Sequence, residues 1–596
     1  MNEMNNKINL ILKKFNEGNQ LEAIAEIESL LNFDNTNTEL LFAYGVMVSK
    51  LNQLEKSIKC FEKILKIKPN HEESLQNLYV NLLKINKFDE SIIIINKLLN
   101  QNPKHYQALR DKAYIFYLKK DYSNADKLIN KAIKIKDNEV FGINLLGLIC
   151  VATDKNKIAL NTFKKAILIN KNYFDSYNNL GKCYFDNEDL ENAFINFKKA
   201  HRINPKSELP IINIGNVLSL KDKYKIAINF YKKALEINPL NKLILPNIAI
   251  SYCRLKNLEQ ATIYYYKAKK LSPENYDLDL SYSYLLLYKK KFSEAWKLFE
   301  SRLETKKVKK ANIFHENIKH KISIKSKITS NDKILIVREQ GVGDEILFSS
   351  MYNDLLNNYK NISIETDIRL IKIYERSFGK GIFFPSGHFS SSLKKIEDFN
   401  KIFYAGSLTK YFRPNENSFN KNSYLLSDKV NDNKFKKILD RFNQNKKIGL
   451  SWKSVVNIYG RLKSLKIEDF TPLFRQNRAF INLQYGNVLD EIVNFKQNGF
   501  EIYNFENVDL FNDFESVISI LKNLDLFVTV SNSTAHLAAA LGIPTIVICP
   551  KKTSTYYYWD YNDGFTPWYN NVRVLKVQGS IKKTINQLDM LIDKII

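Results

Sequence analysis

Ala23, Ser57, Ser91, Ala125, Ala159, Ala193, Ala227, Ala261 and Ala295 follow one another at a constant spacing of 34 residues. Two helices of a hairpin that cross closely leave room only for a small side chain. A fixed recurrence of Ala or Ser therefore specifies stacked helix-turn-helix units, each burying its apolar face against its neighbours. Other columns keep the same phase. Gly45, Gly147, Gly181 and Gly215 mark the tight point of the first helix of a unit, and Phe61, Phe163, Phe197, Tyr231, Tyr265 and Phe299 are expected to fill its interior. Pro69, Pro103, Pro205, Pro239 and Pro273 end the units, with Asp137 and Lys171 standing where the column predicts Pro.

This lattice resembles the tetratricopeptide repeat and assigns residues 1–305 to an α-solenoid. The first unit is recognisable mainly in its second helix, around Leu21 to Leu31, as suits a terminal cap with one polar outer face. The resemblance implies a concave surface that binds an extended peptide or a partner domain. A spacer or oligomerisation arm is the plainer alternative.

At 596 residues the chain exceeds a single-core domain, and 44% apolar residues exclude a disordered polymer. The net charge of +27 would suggest a nucleic acid or an anionic surface. The lysines, however, recur in pairs at solvent positions of the repeat helices, such as Lys164 and Lys165 or Lys198 and Lys199, without a dense run. That distribution disfavours nucleic acid and fits a solvated surface, although stacked pairs could form a basic ladder along one edge. The cysteines, Cys60, Cys150, Cys183, Cys253 and Cys549, are odd in number and widely spaced, so neither a disulfide framework nor a metal site is expected. No segment reaches the roughly 20 apolar residues of a membrane span, and Met1 to Phe15 lacks a continuous apolar signal core. A cytoplasmic protein is expected, its membrane contact limited to basic patches.

After the repeats, residues 306–330 read as a lysine-rich linker. From Ile334 short β-branched runs alternate with helical patterns, the signature of parallel α/β sheets. Strands are predicted at Ile334 to Val337, Ile362 to Thr366, Gly381 to Phe384, Lys447 to Ser451, Ala479 to Gln484, Glu501 to Tyr503, Leu526 to Val530 and Thr545 to Cys549. They group into two Rossmann-like domains, 331–440 and 446–596, the second closed by an amphipathic helix from Ile581 to Ile596.

In open α/β sheets ligands bind beyond the carboxyl ends of the strands, and helix amino termini there attract phosphate. Three such ends carry suggestive residues. The first runs from Val337 through Gly341 and Gly343 into a helix whose first turn holds Asp344. It is neither a P-loop, since no Lys-Ser or Lys-Thr follows, nor a full dinucleotide fingerprint. The second holds Ser451, Lys453 and Ser454, followed by Gly460, Arg461 and Lys463; hydroxyls and cations there suit a diphosphate cradle, the alternative being an ordinary basic loop. At the third, a buried strand ends in Ser531, Asn532, Ser533 and Thr534, with His536 in the following helix. Capping alone needs one of these four side chains.

The order and spacing of these motifs resemble the bacterial glycosyltransferases of the heptosyltransferase-like family nine, in particular members with tetratricopeptide repeats in front. The match includes Glu339 to Glu345, Asn482 to Gly486, Asp513-Phe514, Ser531 to Ala538, Tyr558-Trp559 and Pro567-Trp568-Tyr569. The resemblance implies a GT-B fold of two Rossmann-like domains, the first on the acceptor side and the second on the nucleotide-sugar side. It implies inverting transfer to a hydroxyl without a cofactor or an essential metal. On the same resemblance Asp344 is the general base. Ser451, Lys453, Lys463, Gln484, Ser531, Asn532, Ser533, Thr534 and His536 bind the donor, and Gly341 and Gly343 form the turn. Many members carry Asp where this chain has Ser531, which leaves the sugar unassigned. The repeats would recruit a protein or a carrier-linked glycan. Two alternatives remain open: a non-catalytic scaffold with a degenerate transferase domain, and an enzyme like the eukaryotic-type protein O-linked N-acetylglucosamine transferase, whose catalytic segments are not found here.

Overall fold

The computed structural model describes the chain except residues 1, 256, 305–328, 330, 390–392, 455–462, 551–554, 560, 562–563 and 578. The linker segment and the Gly460-Arg461 pair therefore lie outside the described residues. The chain divides into two compact units, Met1–Val217 and Leu218–Ile596.

The repeat helices keep the phase of the sequence. Second helices of successive hairpins begin at Gln20, Leu54, Phe88, Tyr122, Asn156, Leu190, Tyr224, Leu258 and Phe292. All nine members of the small column are fully buried. The two serines meet their polar demand within the hairpin: Ser57 Oγ donates to the Gly45 carbonyl at 2.6 Å and Ser91 Oγ to the Tyr79 carbonyl at 3.1 Å. The glycine and aromatic columns turn out to be two sides of one contact. A Cβ placed on Gly147 would lie 2.4 Å from the Phe163 ring, and one on Gly181 would lie 2.8 Å from Phe197.

Asp137 and Lys171 do not disturb the register, since the preceding helices still stop at Ile135 and Ile169. The first unit is a whole hairpin, Asn2–Asn16 followed by Gln20–Phe33, so its first helix is regular despite its weak sequence signature. One column was not legible in the sequence. Gly18, Asn52, Asn86, Lys120, Asp154, Glu188, Asp222 and Lys290 all adopt positive φ, and each closes the tight turn inside its hairpin.

In the second unit the last hairpins, ending in Phe292–Phe299, lead into two sheets. The first contains β1 (Ile334–Val337), β2 (Ile362–Thr366), β3 (Phe383–Pro385) and β4 (Lys401–Tyr404), in the order β3-β2-β1-β4. The second contains β5 (Lys446–Ser451), β6 (Arg478–Asn482), β7 (Ile502–Tyr503), β8 (Leu526–Val530), β9 (Thr545–Cys549) and β10 (Val572–Lys576), in the order β10-β9-β8-β5-β6-β7. Every ladder among the described residues is parallel.

Numbered from its own first strand, the second sheet runs 3-2-1-4-5-6, a doubly wound arrangement whose chain direction reverses between β5 and β8. The first sheet reverses between β1 and β4 in the same way. The third strand lies two residues later than predicted, and β4 and β10 were not predicted. β4 is a four-residue edge strand, and β10 is an edge strand whose short apolar run is interrupted by Arg573 and ended by Lys576.

Strand β8 is buried on both faces. Phe527 joins a core continuous with Trp296, Phe348 and Trp568, while Leu526, Val528 and Val530 join a second core covered by Ile585, Leu588 and Ile592 of the helix Ile581–Ile595. The first of these cores ties the last repeat hairpin and both sheets into one apolar body. None of the described helices is long and apolar enough to cross a membrane. No group of His, Cys, Asp and Glu that could hold a metal occurs among the described residues.

Candidate functional site

The two reversal points face each other. Helix Val342–Ser349, which follows β1, packs against helix Ser533–Ala540, which follows β8. Their amino-terminal turns meet closely enough that a Cβ on Gly343 would lie 3.1 Å from His536 Cδ2 and 3.6 Å from Ser533 Cα. Gly343 therefore serves close approach. The left-handed residue of this turn is Gln340, with φ 60°, while Gly341 is in an ordinary extended conformation. Asp344 is half-buried at the third position of its helix, and its carboxylate accepts the Gly341 N–H at 3.4 Å. The next residue, Glu345, is buried and held by Arg338, by Thr366 and by the Asp367 N–H at 3.0 Å. Arg376 Nη2 joins the two sheet domains through both Glu515 oxygens, at 2.8 and 3.0 Å.

On the second sheet the predicted donor residues form a hydrogen-bonded cluster. The side-chain amide oxygen of Gln484, Oε1, accepts from Ser451 Oγ at 3.0 Å, from the Trp452 N–H at 2.8 Å and from the Lys453 N–H at 2.6 Å. Asn532 Nδ2 donates to Ser451 Oγ at 2.9 Å, and Asn532 Oδ1 caps the helix by accepting the Ala535 N–H at 3.0 Å. Ser531 Oγ accepts the Trp559 indole N–H at 3.1 Å. Ser451, Gln484, Ser531 and Asn532 are all buried. They tie the end of β5 to the end of β8 and orient the free N–H groups at the start of helix Ser533–Ala540. Ser533 is half-buried at that start, facing Gly343, and Thr534 is buried behind it.

The Lys453 ammonium pairs with the Glu491 carboxylate, which also accepts the Trp452 indole N–H at 3.1 Å. Lys463 is buried over the Tyr556 ring, 3.8 Å from its centroid. His536 is boxed by aromatic rings that motif spacing did not single out as site residues. It stacks on Trp559 with centroids 5.0 Å apart, meets the Tyr558 ring edge-on, and its Nδ1 lies 3.0 Å from the Tyr569 hydroxyl. The cluster of aromatic residues between Tyr556 and Tyr569 is the signal that could have revealed this box.

Burial, and after it the charge of Lys463, holds His536 down to a pKa of about 3, against about 6.5 in an unfolded chain. Between these values the unfolded chain binds a proton that the folded chain refuses. Stability from this residue is thus complete above the unfolded value and is lost as the pH falls towards the folded one. Lowering the pH from 7 to 5 is expected to cost about 2 kcal/mol through this group alone. Urea unfolding of wild type and His536→Gln at both pH values checks this, and an equal pH dependence in the two proteins would refute it.

A family model for the tetratricopeptide repeat matches residues 38–71, 174–207 and 211–239. Over 262 residues the chain is 29% identical to Protein FlbA of Caulobacter vibrioides, a match covering 40% of this chain and 42% of that protein. The chain thus spans about two fifths of the length of this curated relative. Two solved structures are similar in part. A tetratricopeptide repeat protein from Parabacteroides merdae is 14% identical, with a TM-score of 0.37, over 41% of this chain and 96% of that one. TTC0263, a tetratricopeptide-repeat protein of Thermus thermophilus, is 23% identical, with a TM-score of 0.28, over 30% of this chain and 99% of that one. The amino-terminal half of the chain carries tetratricopeptide repeats.

Proposed function

We propose that the chain is a glycosyltransferase of GT-B type that moves a sugar from a nucleotide-sugar donor to a hydroxyl acceptor with inversion. The observation that carries the reading is the meeting of the two helix starts, with the Asp344 carboxylate on one side and the Ser531–Thr534 turn on the other. A helix amino terminus favours the diphosphate of such a donor through its unpaired N–H groups and its dipole. A carboxylate on the opposite side is suited to accept a proton from the attacking hydroxyl. In this reading the acceptor oxygen bonds to the anomeric carbon, its proton passes to Asp344, and the nucleoside diphosphate leaves towards the helix start and Lys463. Ser451, Gln484 and Asn532 shape the loop rather than touch the donor, since their polar atoms are bonded to one another. Lys453 would reach a diphosphate only by releasing Glu491. On the resemblance noted above no essential metal is required.

The repeats, which in this reading hold a protein or a carrier-linked glycan, also favour a second one. The family match supports a protein-interaction scaffold, which requires no chemistry from the sheets. A thermal-shift screen of nucleotide sugars separates the two. A donor present at 100 times its dissociation constant is expected to stabilise the protein by about 2.7 kcal/mol. A flat response across uridine, guanosine, adenosine, cytidine and thymidine diphosphate or monophosphate sugars would leave the scaffold.

A further inference from the structure

Arg302 lies in the short turn Glu300–Glu304 that ends the last repeat hairpin, and its side chain is only 2% exposed. Its guanidinium forks onto Glu339, with Nε 2.8 Å from Oε2 and Nη2 2.7 Å from Oε1. Its other N–H groups are also engaged. Nη1 donates to Glu300 Oε1 at 2.8 Å and to the Phe299 carbonyl at 3.2 Å, and Nη2 donates to Ser407 Oγ at 3.0 Å. The Phe299 ring lies against the guanidinium, 4.4 Å from centroid to carbon. Glu339 in turn accepts the Gly406 N–H at 2.6 Å, just beyond β4. A Cβ on Gly406 would lie 2.6 Å from Glu339 Oε1 and 3.0 Å from Arg302 Nη2, so the cluster admits only glycine there.

Such a buried pair is poor evidence for a purely stabilising role, because well-packed apolar residues generally serve stability as well or better. Its position in the chain suggests what else it does. Glu339 immediately precedes Gln340, whose left-handed backbone is disfavoured for a residue with a Cβ and persists only where its surroundings fix it. Gln340 leads directly into Gly341 and the helix turn that carries Asp344. The clamp therefore holds one end of the strained turn to β4 and to the last repeat.

Resting on the transferase reading above, we propose that Arg302 is a positioning residue that fixes Glu339 and, through the Gln340 turn, sets the place of Asp344. The final repeat is then a working part of the reaction centre as well as a tether for the acceptor. Lysine at this position keeps the charge but cannot reproduce a planar fork onto Glu339, Glu300, Ser407 and the Phe299 carbonyl together.

The test uses the full chain with Arg302→Lys and, as a companion that leaves no charge of this cluster buried and unpaired, the triple variant Arg302→Met with Glu339→Gln and Glu300→Gln. Both are expected to keep the wild-type circular dichroism. Amide hydrogen exchange over Gly341–Glu345 is expected to rise about tenfold, with helix Ser533–Ala540 unchanged. The kcat should fall about tenfold or more while the donor KM stays the same. Unchanged exchange in the folded variants would overturn the clamp, whatever the activity. Faster exchange with full kcat would overturn the positioning role, and unfolding of both variants would assign Arg302 to stability instead. A wild-type protein that transfers from no donor defeats the transferase reading and the positioning role with it, while exchange still reports separately whether the clamp exists.

Discussion

Asp344→Asn is expected to lower turnover by about 10²- to 10⁴-fold, the usual contribution of a positioned general base, and to leave donor binding nearly intact. The substitution is chosen because asparagine has the same shape and its amide oxygen can still accept the Gly341 N–H, so the turn and the helix start persist. Only the basicity is removed. Donor affinity should survive because the groups that meet the donor in this reading, the start of helix Ser533–Ala540 and Lys463, belong to the second sheet's helices and loops. Initial rates and the donor-induced thermal shift, measured on one preparation, check both halves of the expectation. Wild-type rates in the variant would reduce Asp344 to a helix cap. Loss of rate and binding together would show that it holds the donor.

Trp296→Ala is expected to destabilise the second unit by about 3–5 kcal/mol, the range for truncating a large buried aromatic residue. Trp296 is 1% exposed, and its indole N–H donates to the Arg413 carbonyl at 2.7 Å. Its ring meets Phe299, Tyr557 and Trp568 with centroids 5.5, 6.2 and 6.4 Å apart. Alanine would leave both a cavity and an unpaired buried carbonyl, and few neighbours could collapse into that space. Urea unfolding of the full chain followed by tyrosine-sensitive near-ultraviolet dichroism would read the change. A loss below about 1 kcal/mol, the scale of ordinary surface substitutions and mild repacking, would mean that the last hairpin is only loosely attached to the sheets.

The repeat phase was legible because a steric demand recurs with one chemical answer: every crossing point takes Ala or Ser, and every one is buried. The turn column at 34-residue spacing was not, because Asn, Lys, Asp and Glu all occupy the same left-handed conformation there and leave no common residue type. Seven of the ten strands follow the predicted runs closely, since buried parallel strands read as continuous apolar segments. β4 and β10, being edge strands, lack that signature. The candidate site was visible as three strand ends but not as a network. The bonds that define it join Ser451 to Gln484, Asn532 to Ser451 and Arg302 to Glu339, separations of 33, 81 and 37 residues that no local pattern encodes. Glu491, which neutralises Lys453, was missed for the same reason.

The continuous core shared by the last hairpin and the two sheets also bears on how such a gene can change. Hairpins of a solenoid meet only their neighbours, so a cassette of one repeat can be duplicated or deleted upstream without rewriting any other surface. The helix Phe292–Phe299 has lost that freedom, because Phe292, Trp296 and Phe299 already belong to the core beneath the sheets. Lineages of this protein should therefore vary in length on the far side of the array and keep the terminal hairpin fixed.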